Sequence, residues 1–451
     1  MSGTAEATHG ADTTTATSVR ALAAAAKVAS RELAPLSASR RNSALEALAH
    51  AVEAAGKELL QANLDDVRAA EGLSPATRAR LQLDETKLRE MADQMRSVKA
   101  LSDPLGRTLD AVELDNAEGG LHMQRMSVPL GVLAVIFEAR PDAVTQIAAL
   151  ALKSGNAVIL KPGREVERTA TVLVRVLREA LEREALPSAA ITMVLGRESV
   201  AELLGMHDLV DMVIPRGAKE LVDYVQNNTR IPVLGHAEGV CHIYVDRAAD
   251  EALALRVIDD AKTDYPAACN AVETVLVHRE IAAEFVPRLA MLLREHSVKL
   301  FGDETVRILA RDFAIAAVED WHMEYGELAL SIGVVESLEA AIEHIHRFGS
   351  SHTEAIMTDD LKTAERFLNE VDAASVMHNA STRFADGFRY GFGAEVGIST
   401  SKLHARGPVG LEGLTTYKYV VRGHGHVAAD YRASKSPGKD ARMFTHKREQ
   451  R

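Results

Sequence analysis

The chain has 451 residues, 47% of them hydrophobic and 26% charged, which is the balance of a water-borne globular protein too long for one core, so two or three domains are expected. Its net charge of −12 argues against nucleic acid or an anionic membrane as the main partner, so an anionic ligand needs a local basic or backbone N–H site. Two cysteines in unlike contexts suggest no disulfide framework and fit a reducing cytoplasm.

Residues 1–18 are Ala, Thr, Ser and Gly with little else, and lack the basic start and apolar centre of a signal peptide; a disordered leader is expected. Residues 19–100 are Ala-rich with Leu and Val at three- and four-residue spacing, which predicts helices. Strands are predicted over 108–114 and 121–128, joined by a turn at 115–120 into a hairpin.

Regular alternation follows. Strands are expected at 131–137, 157–161, 191–195, 209–214 and 231–234, with helices at 142–153, 165–184, 198–206 and 219–227 between them. Ser154-Gly155-Asn156 is the helix stop after Lys153. Fully apolar strands alternating with helices predict a parallel sheet covered on both faces, with ligands beyond the carboxyl ends of the strands. The alternation restarts at 242–246 and runs to about 378, with strands at 272–277, 328–335 and 353–357. One more strand is expected at 414–421, and the Lys- and Arg-rich segment 427–451 reads as a flexible tail.

Cys269 stands in a loop of small residues, Pro266-Ala267-Ala268-Cys269-Asn270-Ala271, at the mouth of the 272–277 strand. A substrate can reach a sulfur so placed. A buried structural cysteine is the other reading, and a nucleophile needs surroundings that favour the thiolate. Cys241, inside a predicted strand, reads as core. No G-x-G-x-x-G stands in the first domain. Its polar turns, Lys161-Pro162-Gly163-Arg164 and Pro215-Arg216-Gly217-Ala218-Lys219, offer helix N-termini and basic side chains to a phosphate, or are ordinary turns with solvated charges. The histidines lack metal-ligand spacing, so no metal is expected.

Val128-Pro129-Leu130-Gly131-Val132, Phe137-Glu138-Ala139-Arg140-Pro141 and Lys153-Ser154-Gly155-Asn156-Ala157 resemble the aldehyde dehydrogenase superfamily. The motifs at 214–217, 239–246, 266–274, 378–384, 391–400 and 403–411 are similar to those of its gamma-glutamyl phosphate reductase family, over about residues 20–426. The resemblance implies an α/β fold of two doubly wound, mainly parallel-sheet domains plus a small β oligomerisation arm. The cofactor-binding domain is then 19–106 and 129–240, the catalytic domain 241–399, and the arm 107–128 and 400–426, which makes a homo-oligomer. The implied reaction is NADPH-dependent reduction of L-glutamyl 5-phosphate to L-glutamate 5-semialdehyde through a thioester on Cys269, in the cytoplasm. A separate glutamate 5-kinase, a candidate for direct handover, would supply the acyl phosphate.

The same resemblance assigns the site residues. Cys269, Asn270 and Arg140 are catalytic, with Arg140 donating to the oxyanion, binding phosphate, or forming a structural ion pair with Glu138 or Asp142. Lys161, Gly163, Arg164, Arg216, Gly217 and Glu324 bind the cofactor. Glu238, Asn379 and Arg383 bind substrate, Glu238 as a positioning group or an ammonium contact rather than a base. The turn at Lys161-Pro162-Gly163 departs from the family's Arg-Gly-Gly towards the wider superfamily, and Arg164 suits a 2′-phosphate. Two other readings stand beside this one: a hydrolytic aldehyde dehydrogenase, and an inactive homologue that only binds.

Overall fold

The computed structural model describes residues 18–70, 72, 75–115, 120–235, 238–432 and 442–448. The expected leader at 1–18 falls outside these except for Ser18, which caps the first helix by accepting from the Ala21 N–H. Most of the expected hairpin turn also lies outside them.

One four-stranded parallel sheet runs in the order Ile191–Met193, Ala157–Pro162, Val132–Phe137, Met212–Arg216. Alternation along its central strand serves two cores. Leu133, Val135 and Phe137 pack with the helices Ala38–Ala54, Glu85–Ala100 and Glu167–Arg183. Val132, Ala134 and Ile136 pack on the other face with the helices Val19–Leu33 and Glu198–Gly205. The helix Asp142–Lys153 stops at Ser154 and Gly155, the glycine at φ 72° where a Cβ would lie 2.8 Å from Leu105. Asn156 then accepts from the Gly131 N–H and donates to the Leu414 carbonyl, tying this sheet to the segment that enters the Thr415–Arg422 strand.

Two expected strands differ. The one expected at 209–214 is displaced to Met212–Arg216, because Leu209 and Val210 turn back to bond the Met206 carbonyl. The one expected at 231–234 reduces to a single parallel bridge, Val213 to Val233, with Pro232 interrupting the ladder donors.

A seven-stranded parallel sheet follows, in the order Ala316–Ala317, Lys299–Gly302, Ala329–Val335, Val272–His278, Cys241–Val245, Thr353–Met357, Ser375–His378. The strand entered from Cys269 is central, and all its seven residues are buried. Cys269 therefore sits at the amino end of its strand, not at a carboxyl end.

The third sheet is antiparallel, in the order Thr415–Arg422, Leu121–Pro129, Thr108–Asp115, Lys447–Arg448. The last strand comes from the segment expected to be a flexible tail. It pairs with Val112 and Glu113, while Arg442 and Tyr431 both reach the buried Asp115. Among the described residues no helix is long and apolar enough to cross a membrane.

Candidate active site

The helix Glu251–Thr263 ends at Asp264, and two tight turns carry the chain through Cys269: Ala268 N–H bonds the Tyr265 carbonyl, and Ala271 N–H that of Ala268. Cys269 is a free, half-buried thiol. Its backbone is held from behind. A Cβ on Gly239 would lie 2.1 Å from the Cys269 carbonyl oxygen, so only glycine permits this approach. The Cys241 thiol donates to that same oxygen at 3.3 Å. Cys241 is fully buried, and burial pushes its thiol well up, so it is the core residue expected rather than a second nucleophile. Gly239→Ala is expected to displace the thiol and lower turnover by on the order of 100-fold, the cost of about 1 Å of misplacement. Steady-state assay beside a folding check by circular dichroism measures it, and wild-type turnover would refute the contact.

The late motif clamps the other side of the loop. The Asn270 side chain is 3% exposed, donates to the Ala385 carbonyl at 2.9 Å and accepts from the Arg383 guanidinium. Arg383 also bonds Asp264 at 3.1 Å, and Arg389 bonds both Asp264 and the Arg383 carbonyl. Hydrogen bonds from Arg389, and then Arg383, hold the Asp264 carboxyl below its ordinary range. Asn270 was expected to be catalytic and Arg383 to bind substrate; in the structure the Asn270 carboxamide and two of the Arg383 nitrogens are engaged in this clamp. Asn379, expected to bind substrate, stands at φ 51°, and its carboxamide makes two 3.0 Å bonds to the backbone of Thr358.

Arg140 follows the Val132–Phe137 strand and forms no ion pair with any described residue, so the structural pair with Glu138 or Asp142 is absent. Glu138 instead accepts from the Ala218 N–H at 3.1 Å. Arg216 ends the neighbouring strand opposite Phe137 and donates to Gln146 at 3.2 Å. Burial, then the Arg140 cation, lowers its pKa, and Cys269 is among the groups whose field it feels. Arg216, expected at the cofactor, thus shares its surroundings with Arg140 and feels the charge of the Cys269 group.

The remaining candidates have local partners. Lys161 is half-buried, with its ammonium on the Pro162 carbonyl at 2.9 Å and its pKa lowered by burial. A Cβ on Gly163 or Gly217 would strike Glu165 or Glu138, so both glycines leave room for a carboxylate. Those carboxylates hold the turn amides of Ala139 and Ala218. Arg164 is exposed. Glu238 pairs with Lys219 at 2.6 Å, which raises the lysine's pKa. Glu324 accepts from the Gly239 N–H at 2.9 Å, one residue-contact away from Cys269. Beneath it lies a pair the sequence did not suggest: Lys262 and Glu273, both buried, joined at 2.7 Å.

The sequence and the fold resemble those of known proteins. The pattern of the Aldehyde dehydrogenase family matches residues 3–320. Gamma-glutamyl phosphate reductase 1 of Synechocystis sp. is 52% identical over 427 residues, 94% of this chain and 96% of that protein.

The chain belongs to the aldehyde dehydrogenase family.

Within the family it falls among the gamma-glutamyl phosphate reductases. The reductase of Cyanothece sp. is 52% identical over 96% of this chain and 99% of its own length. The crystal structure of the Thermotoga maritima gamma-glutamyl phosphate reductase superposes with a TM-score of 0.88 at 39% identity, covering 91% of this chain and 99% of that one. The expected aldehyde dehydrogenase-like α/β architecture is therefore the observed one, and the family works with a nicotinamide cofactor.

Proposed function

We propose that this enzyme reduces L-glutamyl 5-phosphate to L-glutamate 5-semialdehyde with NADPH, using Cys269 as nucleophile. The observation that carries the chemistry is a free half-buried thiol whose backbone is gripped by Gly239 and Cys241. The Cys269 thiolate attacks the acyl carbon, the carbon–oxygen bond to phosphate breaks, and inorganic phosphate leaves with the bonding pair. The acyl group then rests on Sγ as a thioester. The Cys269 N–H and Arg140 stabilise the oxyanion, and the two arginines favour departure of the phosphate. A nicotinamide cofactor, when bound, supplies the hydride that takes the thioester to the aldehyde level. Lys161, Gly163 and Arg164 at the carboxyl ends of the first sheet, with Glu324, would hold it; Arg164 is the group that suits a 2′-phosphate. The Thr415–Arg422 edge of the antiparallel sheet, with Tyr417, Tyr419 and Val421 exposed, supports assembly of like chains through the arm.

The hydrolytic reading needs a carboxylate that activates water, and Glu238 is its candidate. In the structure that carboxylate is tied to Lys219. Absorbance at 340 nm, read on mixing the protein with glutamate 5-semialdehyde and NADP⁺, decides between the two. Reduction that requires inorganic phosphate is expected, and Glu238→Gln should change it by less than about tenfold. A loss of about 10²–10⁴-fold, the range for a general base, or reduction without phosphate, would establish the hydrolytic enzyme instead.

A further inference from the structure

A cleft of about 230 Å³ opens between the Glu85–Ala100 helix, the Arg140 turn and Tyr265. Four charged side chains line it, Arg80, Glu90, Arg140 and Asp142, and none forms an ion pair with any described residue. Charges elsewhere on the same helix are paired: Arg96 with Glu46 and Glu53, and Lys99 with Glu46. A fifth charge at the cleft, Lys87, gives its ammonium to the Ala79 and Gln82 carbonyls. Arg80 is steered into place by Tyr265, whose hydroxyl accepts from its Nε at 3.1 Å, and whose ring it overlies at 5.9 Å. The terminal nitrogens of Arg80 have no partner among the described residues.

A cleft that keeps both signs unpaired suits a ligand that carries both. A purely anionic ligand meets Glu90 and Asp142, and a purely cationic one meets Arg80 and Arg140. We infer that this cleft binds the zwitterionic head of an α-amino-acid substrate, with Arg80 on its carboxylate and Glu90 and Asp142 on its ammonium. Tyr265 lines the cleft, and its carbonyl accepts from the Ala268 N–H in the turn that leads into Cys269, so the cleft adjoins the loop that carries the thiol. Arg140 lines the cleft too and is the side chain proposed above for the oxyanion, joining the two ends. The inference rests on the amino-acid substrate of the proposed function and assigns the residues that select it.

Calorimetric titration of the intact protein with L-glutamate and with glutarate, which lacks the ammonium, tests the cleft apart from turnover. Wild type should bind L-glutamate about tenfold or more tightly than glutarate, as one charge-assisted bond provides. Arg80→Gln should weaken L-glutamate by a similar factor, Arg80→Lys by less, and Glu90→Gln or Asp142→Asn should narrow the gap to glutarate. In turnover, Arg80→Gln should raise KM for glutamate 5-semialdehyde more than it lowers kcat. Selective L-glutamate binding in a protein without phosphate-dependent turnover would sustain the cleft and sink the reductase reading. Phosphate-dependent turnover with unaltered KM and unaltered L-glutamate affinity in Arg80→Gln would overturn the cleft and leave the reductase standing.

Discussion

Replacing Cys269 by alanine is expected to lower phosphate-dependent NADP⁺ reduction by at least about a thousandfold, because removal of a covalent nucleophile leaves only binding and electrostatics to act. Folding should be unaffected. The Cys269 side chain makes no hydrogen bond in the described structure, and its backbone contacts with Gly239 and Cys241 survive truncation. A second measurement separates reactivity from structure. Iodoacetamide at neutral pH should add one label per chain, at Cys269, since burial pushes the Cys241 thiol well up and shields it. Peptide mass spectrometry reads the site. A label on Cys241, or turnover in Cys269→Ala above about a tenth of wild type, would move the chemistry elsewhere.

Much of this centre was legible in the sequence because its strands are mainly apolar. The runs at 132–137 and 272–278 are buried on both faces, and a mainly hydrophobic run bounded by turns signals such strands. Helix stops written in local chemistry were equally readable, as at Ser154-Gly155. Pairing partners were not. The Lys447–Arg448 strand is polar and two residues long, and only the edge of Thr108–Asp115 gives it order. Glu273 stands in a run, Val-Glu-Thr-Val-Leu-Val, where alternation would put it in solvent, and its neutralising partner is eleven residues back on a helix. Asn270 and Arg383 were singled out as site residues, but the bonds they make to each other and to Ala385 could not be read. A polar motif announces that its hydrogen bonds matter, and only the fold decides whether ligand or neighbouring loop receives them. The neighbours of Arg216 were hidden for a related reason: a basic residue after a strand of the first domain points at cofactor or thiol according to how the two sheets meet, which no local pattern records.

Lys262→Met is expected to destabilise the protein by about 3–5 kcal/mol, the cost of leaving one partner of a buried ion pair uncompensated. In the wild type the ammonium bonds Glu273 at 2.7 Å and the Val272 carbonyl at 2.9 Å, out of water on all sides. Burial raises the Glu273 carboxyl to about 7 even against the pull of Lys262, from an ordinary 4.5. Without the lysine it goes higher still. Between the ordinary and the folded value, the folded state holds a proton the unfolded chain has released, so stability falls as pH rises through that window. The penalty of Lys262→Met should therefore be smaller at pH 6 than at pH 9, read as the shift of the urea midpoint. Adding Glu273→Leu should restore most of the loss, since an apolar pair of similar volume often matches a buried ion pair. The single variant should also slow catalysis: Glu273 accepts from the Gly326 N–H at 3.3 Å, two residues after Glu324, whose carboxylate holds Gly239 against Cys269. A single variant as stable as wild type, or a double variant no better than the single, would show that the pair does not support the nucleophile strand.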